Sequence, residues 1–220
     1  MPDSLSTSPA ADVLDALYAD AAEKGKAFQT DAFREAQTPL ERFTVAKNQY
    51  LPIGRPFGRL LYALVRAARP GLVVEFGTSF GISTIYLAAA LRDNGHGQLI
   101  TTEFIESKAD TARQNLEQAG LADLVEFRVG DALQTLAEPL PGPVDLLFLD
   151  GEKSLYLPVL QLLEPHLRPG SLVASDNTDQ PNTQPFLDHL HDPAQGYASA
   201  PILTPTGPQT TTGHEIAVRL

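Results

Sequence analysis

Two apolar runs in the second half of the chain end abruptly in acid. Val144-Asp-Leu-Leu-Phe-Leu-Asp150 continues into Gly-Glu-Lys-Ser-Leu-Tyr156, and it is answered later by Ser175-Asp-Asn-Thr178. Each reads as a buried parallel strand that carries a carboxylate to the carboxyl end of a sheet. Open α/β sheets bind their ligands at that edge. Asp150, Asp176 and Asn177 offer hard oxygen ligands of the type that magnesium and calcium prefer. Lys153 follows Asp150 by one helical turn, a position for a base or a charge anchor. Together these residues could support metal-assisted chemistry.

A second candidate region lies upstream. Val73-Val-Glu-Phe-Gly-Thr-Ser-Phe-Gly81 reads as a strand, a turn with two glycines and the start of a helix. Glycines let the backbone approach a ligand, and a helix N-terminus favours a negative group. The dinucleotide fingerprint is Gly-x-Gly-x-x-Gly, whereas here Gly77 and Gly81 are separated by three residues and preceded by Glu75. That spacing argues against NAD and pyrophosphate, because an acid beside the turn repels phosphate and welcomes an amino group. Glu103 ends the next strand, at the place where nucleotide-binding α/β folds usually clamp an adenosine ribose through its hydroxyls. Gly130-Asp131 closes the third strand, near where an adenine edge would lie.

The elements that must position these residues alternate. Strands are predicted over 72–76, 98–103, 125–129, 144–150 and 171–176, and helices over 80–92, 107–119, 132–137 and 154–167, the last despite Pro158 and Pro165. Such alternation implies right-handed crossovers and a parallel, doubly wound α/β sheet. Three helices precede it, over 11–24, 31–47 and 55–69, the last stopped by Pro70-Gly71. Residues 1–10, rich in Ser, Thr and Pro, are expected to be disordered, ahead of a single domain over 11–220 with N-terminal helices over 11–47 and a core over 48–220. Beyond Thr178 one helix fits 180–190, and 197–203 with 215–220 would pair as a C-terminal antiparallel hairpin. Thr204 to Gly213 is expected to be a long loop, either a substrate lid or mobile surface.

Composition excludes several alternatives. With 220 residues the chain suffices for one domain, and its formal net charge of −11 with only 16 basic residues disfavours nucleic acid as a partner. Cysteine is absent, which removes disulfides, thiolate metal sites and thiol nucleophiles. Neither a signal peptide nor a membrane span is evident, and Leu87 to Leu91 reads as the end of an amphipathic helix, so a cytoplasmic protein is expected. The five histidines, His96, His166, His189, His191 and His214, show no metal-binding spacing, and His189 and His191 read as surface residues. Tyr156 reads as packing.

On Leu149-Asp-Gly-Glu-Lys-Ser-Leu-Tyr-Leu-Pro158, Ser175-Asp-Asn-Thr178 and the Glu75 to Gly81 turn, the chain resembles the class I S-adenosylmethionine (SAM)-dependent methyltransferases. Within them it is most similar to the divalent-metal-dependent O-methyltransferases that include the catechol and caffeoyl-coenzyme A enzymes. The resemblance runs from about Gln49 to Thr178 and implies a Rossmann-like methyltransferase fold. It implies that the methionine end of SAM lies on the turn of Glu75 and Gly77, with Ser83 and the backbone near Ile53 holding its carboxylate and amine. Glu103 would bind the ribose, Phe104 would lie against adenine, and Asp131 and Ala132 would border the base. Asp150, Asp176 and Asn177 would hold the metal, usually Mg²⁺, with Asp150 also bordering the cofactor and Lys153 as catalytic lysine.

The implied reaction is methyl transfer to a hydroxyl of a small catechol-like aromatic by a homodimer. Relatives that methylate hydroxyuridine in tRNA, a non-catalytic SAM-binding module and an NAD oxidoreductase are the alternatives. Catechol-specific relatives carry tryptophan gatekeepers and an acid in the loop before the last strand. This chain has no Trp, no acid between Thr204 and Gly213, and Glu215 within the strand. Coenzyme A esters need basic contacts, for which Lys24, Lys26, Arg34 and Arg42 are the candidates.

Overall fold

The computed structural model describes residues 3–7, 9–24, 35, 41, 45, 47–50, 52–207 and 210–220. The helix expected over 31–47 falls almost entirely outside the described residues, as do Lys26, Phe28, Phe33, Arg34 and Arg42.

Strands β1 (Leu72–Phe76), β2 (Gln98–Glu103) and β3 (Val125–Val129) have the predicted bounds. With β4 (Val144–Leu149), β5 (Leu167–Asp176), β6 (Tyr197–Gly207) and β7 (Thr210–Arg219) they form one sheet in the order β3-β2-β1-β4-β5-β7-β6. The first five pair in parallel, while β7 runs antiparallel to both neighbours. All five β1 residues are buried, as expected of a central strand covered on both faces. The chain moves outward from β1 to β3, then returns to β4 on the other side, so the switch point lies between β1 and β4. Phe76 pairs with both Thr102 and Leu149, and Leu149 pairs with Ser175. This register brings Gly77, Glu103, Asp150 and Asp176 to one edge.

Helices α1 (Pro9–Lys24), α2 (Arg55–Ala68) and α3 (Ile82–Asn94) cover one face. Pro9 opens α1, where a missing N–H costs nothing. The apolar residues Leu14 and Leu17 of α1 belong to this core, so that face is occupied within the chain. α3 was expected to be amphipathic, yet Leu87 to Leu91 are all buried because α1 and α2 lie over its outer side. Residues 3–7, expected to be disordered, form a turn: Ser4 donates from its N–H and hydroxyl to Asp93 at 2.9 and 2.6 Å.

After α4 (Glu106–Gln118) and the short α5 (Ala132–Thr135), the helix expected over 154–167 is divided. A 3₁₀ turn over Lys153–Leu155 leads into α6 (Tyr156–Leu163), and a second over Glu164–His166 ends it at Pro165. α6 and α7 (Gln184–His191) cover the other face of the sheet.

Of the expected loop, residues 204–207 and 210–213 are instead β structure. β6 and β7 stay paired through Thr204↔Thr212 and out to Gly207↔Thr210. The run of β-branched threonines suits strands, and Pro201 and Pro205 are tolerated because β6 lies at the sheet edge. Among the described residues no helix is long and apolar enough to cross a membrane.

Candidate active site

The carboxyl edge of the sheet opens into a cavity of about 570 Å³, of the size that small-molecule ligands occupy. Its wall includes Ile53, Gly77, Ser83, Glu103, Asp150, Lys153, Asp176 and Asn177 from the sequence expectation.

On the β1–β2 side the geometry follows from the turn. Gly77 has φ +103°, and a Cβ there would meet the backbone of Asp150 and Gly151 at 2.7–2.8 Å. Glycine is therefore required both for the backbone conformation and for the close approach of the β1 and β4 ends. Gly77 and Thr78 donate their N–H groups to the Thr102 carbonyl at 3.2 and 3.0 Å, which ties the turn to β2.

Glu75 lies beneath this turn rather than in the cavity wall. Its Oε2 accepts from Thr84 and Thr101, both at 2.6 Å, while Oε1 is buried without a well-formed hydrogen bond. Burial raises its pKa, opposed by the hydroxyls of Ser83, Thr101 and Thr84. Glu103 accepts from the N–H groups of Ser79 at 2.8 Å and Ile105 at 2.9 Å. Burial raises its pKa as well, opposed by the Ile105 N–H, Lys108 and the Ser79 N–H. The Ile53 carbonyl at the cavity wall accepts the Tyr18 hydroxyl at 2.9 Å.

Three further expected contacts lie outside the cavity wall. Phe104 is 42% exposed, Asp131 caps α5 by accepting from the Leu133 N–H at 2.9 Å, and Ala132 is packed in the core. Both Asp131 and Ala132 follow β3, two strands from the switch point, so the sheet order alone sets them apart from the centre of the cavity.

The β4–β5 side is built from side-chain charges. Lys153 Nζ lies 3.0 Å from Asp150 Oδ1 and donates to Tyr156 Oη at 2.8 Å. Tyr156, fully buried between Phe76 and Phe186, donates in turn to the Asp176 carbonyl at 2.9 Å. Packing and hydrogen bonding thus act together at Tyr156, which the sequence reading assigned to packing alone. The Asp150 side chain is only 12% exposed, and burial pushes its carboxyl up to about 7, with Lys153 opposing and the Asp176 charge adding to the rise.

Asn177 has φ +54°, a left-handed conformation that asparagine tolerates. Its Nδ2 donates to Thr212 Oγ1 at 3.3 Å, which leaves its amide oxygen as a potential ligand. Among the described residues no group of three or more His, Cys, Asp or Glu side chains is assembled to hold a metal. The available set is two carboxylates and an amide oxygen.

Several cavity residues escaped the sequence reading. Tyr50 stacks on Phe80 at 4.1 Å, and Lys108 Nζ lies 5.2 Å from the Phe80 ring centre on the cavity wall. Burial lowers the Lys108 pKa, with Glu103 opposing. The rim adds Glu152, Gln180 and Asn182. A lone helical lysine or a loop amide carries no spacing signal, so only the folded chain reveals them.

This strand order, with an antiparallel seventh strand and ligand groups at the carboxyl edge, defines a Rossmann-like methyltransferase fold. A family model described as a methyltransferase domain matches residues 74–178. A catechol O-methyltransferase of Niastella koreensis is 34% identical over 168 residues, covering 72% of this chain and 71% of that protein. The O-methyltransferase TomG of Streptomyces achromogenes, solved in complex with SAM, matches with a TM-score of 0.68 at 31% identity, over 77% of this chain and 82% of its own. An O-methyltransferase of Bacillus cereus in complex with S-adenosylhomocysteine (SAH) gives a TM-score of 0.71 at 27% identity, over 82% and 88% of the two chains. The chain belongs to the class I SAM-dependent O-methyltransferases, in the family of the catechol and caffeoyl-coenzyme A enzymes.

Proposed function

We propose that this enzyme methylates one hydroxyl of a small vicinal dihydroxy aromatic, with a divalent cation held by Asp150, Asp176 and Asn177 and with Lys153 receiving the hydroxyl proton. The observation that carries the reading is the convergence of these four residues on one cavity wall, with Lys153 at 3.0 Å from Asp150. The catechol O-methyltransferase name of the Niastella relative supports the acceptor class.

The residues fit both implied ligands. SAM supplies an electrophilic methyl group on its sulfonium. Ile53, Gly77 and Ser83 on the cavity wall suit its methionine end, while Glu75 supports the turn from beneath through Thr84 and Thr101. Glu103 suits the ribose hydroxyls, and the adenine would extend beyond it toward Phe104, Asp131 and Ala132. A pair of buried carboxylates, in which the Asp176 charge raises the proton affinity of Asp150, suits a hard divalent cation such as Mg²⁺, whose charge lowers a hydroxyl pKa and orients the attacking oxygen.

Lys153 is anchored by Asp150 and Tyr156, so its nitrogen is held for proton transfer rather than left to wander. Glu152, Gln180 and Asn182 add polar groups to the same cavity wall, available to an acceptor's ring substituents. The acidic composition supports a small-molecule acceptor over tRNA. A homodimer in the cytoplasm completes the proposal, and sedimentation would check the dimer.

The test is SAH release from SAM with a panel of vicinal dihydroxy aromatics, in Mg²⁺ and in EDTA. Turnover abolished by EDTA is expected. Turnover indifferent to EDTA would remove the metal role of Asp150, Asp176 and Asn177.

A further inference from the structure

His214 carries no motif in the sequence, yet it is fully buried beside a proposed metal ligand. It stands on β7 directly across from Asp176 on β5. Its Nδ1 lies 2.8 Å from Asp176 Oδ1, and its Nε2 lies 2.7 Å from Thr204 Oγ1 on β6. The ring stacks on Phe57 of α2, with centroids 3.6 Å apart and planes 13° apart. Three elements therefore hold one imidazole against one carboxylate.

The contact is close but bent: Asp176 Oδ1 lies off the ring N–H direction, so Nδ1 has no well-aligned partner. The same Oδ1 also accepts the Asn177 N–H at 2.7 Å. The Tyr156 hydroxyl bonds the backbone carbonyl of Asp176, not its carboxylate. The contacts to the carboxylate thus gather on Oδ1, while Asp176 lines the cavity. Side chains alternate along β7, so the next residue, Glu215, turns to the opposite face and meets His191 at 2.9 Å.

We infer that His214 is a positioning residue for the proposed cation site, holding Asp176 by Oδ1 so that Oδ2 is presented to the cation. The inference rests on the metal reading above. It follows the general logic by which outer-shell partners orient carboxylate ligands. Thr204 extends the device by one step, because its hydroxyl prevents the ring from turning away from Asp176.

The test uses the full chain and Mn²⁺ alone as probe, with free Mn²⁺ read by electron paramagnetic resonance. SAH affinity by calorimetry and the melting temperature serve as controls. His214→Phe keeps a ring to stack on Phe57 and removes both nitrogens. It is expected to weaken Mn²⁺ binding by about 10- to 100-fold, the range for lost outer-shell partners, with SAH affinity unchanged. Thr204→Val leaves the imidazole in place and is expected to weaken Mn²⁺ binding less than His214→Phe does.

Asp176→Asn separates the two layers of the argument. If Asp176→Asn abolishes Mn²⁺ binding while a folded His214→Phe binds as the parent does, the role of His214 is overturned and the metal reading stands. If the parent and Asp176→Asn bind Mn²⁺ alike, the metal reading itself fails and the inference falls with it. Should His214→Phe not fold, Thr204→Val decides: unchanged Mn²⁺ affinity overturns the inference, and weakened affinity with unchanged SAH affinity supports it.

Discussion

The two halves of the sheet edge hold their acids by different means. On the β1–β2 side, Glu75 is met by threonine hydroxyls and Glu103 by backbone N–H groups. The hydroxyls come from α3 and β2, and the N–H groups from the turn and from the residues after β2. On the β4–β5 side, Asp150 and Asp176 are met by Lys153 and His214. Neutral donors fixed by the fold keep their geometry with it, and Lys108 adds a charge only near Glu103. Asp150, beside a second buried carboxylate that repels it, depends instead on the Lys153 ammonium. The first half thus relies mainly on neutral donors, and the second on a side-chain cation.

The largest effect expected from this contrast is on chemistry alone. Lys153→Met should lower kcat by about 10²–10⁴-fold, the usual contribution of a positioned proton acceptor, with SAH affinity unchanged. Single-turnover methylation and calorimetry would check it, and equal losses in both would erase the division between the halves.

A backbone change should act on the other side. Gly77→Ala forces a Cβ to within 2.7–2.8 Å of the Asp150–Gly151 backbone at φ +103°. A loss of about 1–3 kcal/mol of stability is expected from strain of this kind. Because the clash is with the end of β4, this variant should also disturb the Lys153 side. Chemical denaturation with SAH titration would measure both.

The remaining expected effect is a pH slope. The carboxyl of Asp150 is raised to about 7 in the folded protein, from the ordinary aspartate range of about 3.9 in the unfolded chain. The folded state then holds a proton that the unfolded state has lost. This stabilising contribution is full below the unfolded value and disappears as pH rises through 7. Glu75 and Glu103 are raised too and act in the same direction. The melting temperature without added cation should therefore fall between about pH 4 and 7 more steeply than in Asp150→Asn. Saturating Mg²⁺ should flatten the difference, and equal slopes in the two proteins would show that Asp150 is not the responsive group.

Much of the site was legible because its residues close apolar runs. Glu103 ends β2, and Asp150 and Asp176 end or follow β4 and β5, so strand periodicity alone set them at one edge. What failed was any reading that depended on a partner far along the chain. Thr204 to Gly213 looked like a loop because prolines and glycines usually break structure, yet an edge strand accepts proline and β7 provides the pairing. His189 looked exposed, but its side chain is 12% exposed and meets Glu164 at 2.7 Å. His214 had no spacing signal because its partner Asp176 is reached only across the sheet.

The sequence by itself determined the alternation of strands and helices and the acids that end the strands. These follow from local propensity and from the period of apolar residues, which a linear chain already contains. Only the tertiary structure decided that Lys153 reaches both Asp150 and Tyr156, that Lys108 and Phe80 line the same cavity, and that His214 rests against Asp176. Those contacts depend on which strands become neighbours and in what register, and register is set by packing across the whole sheet rather than by any one segment.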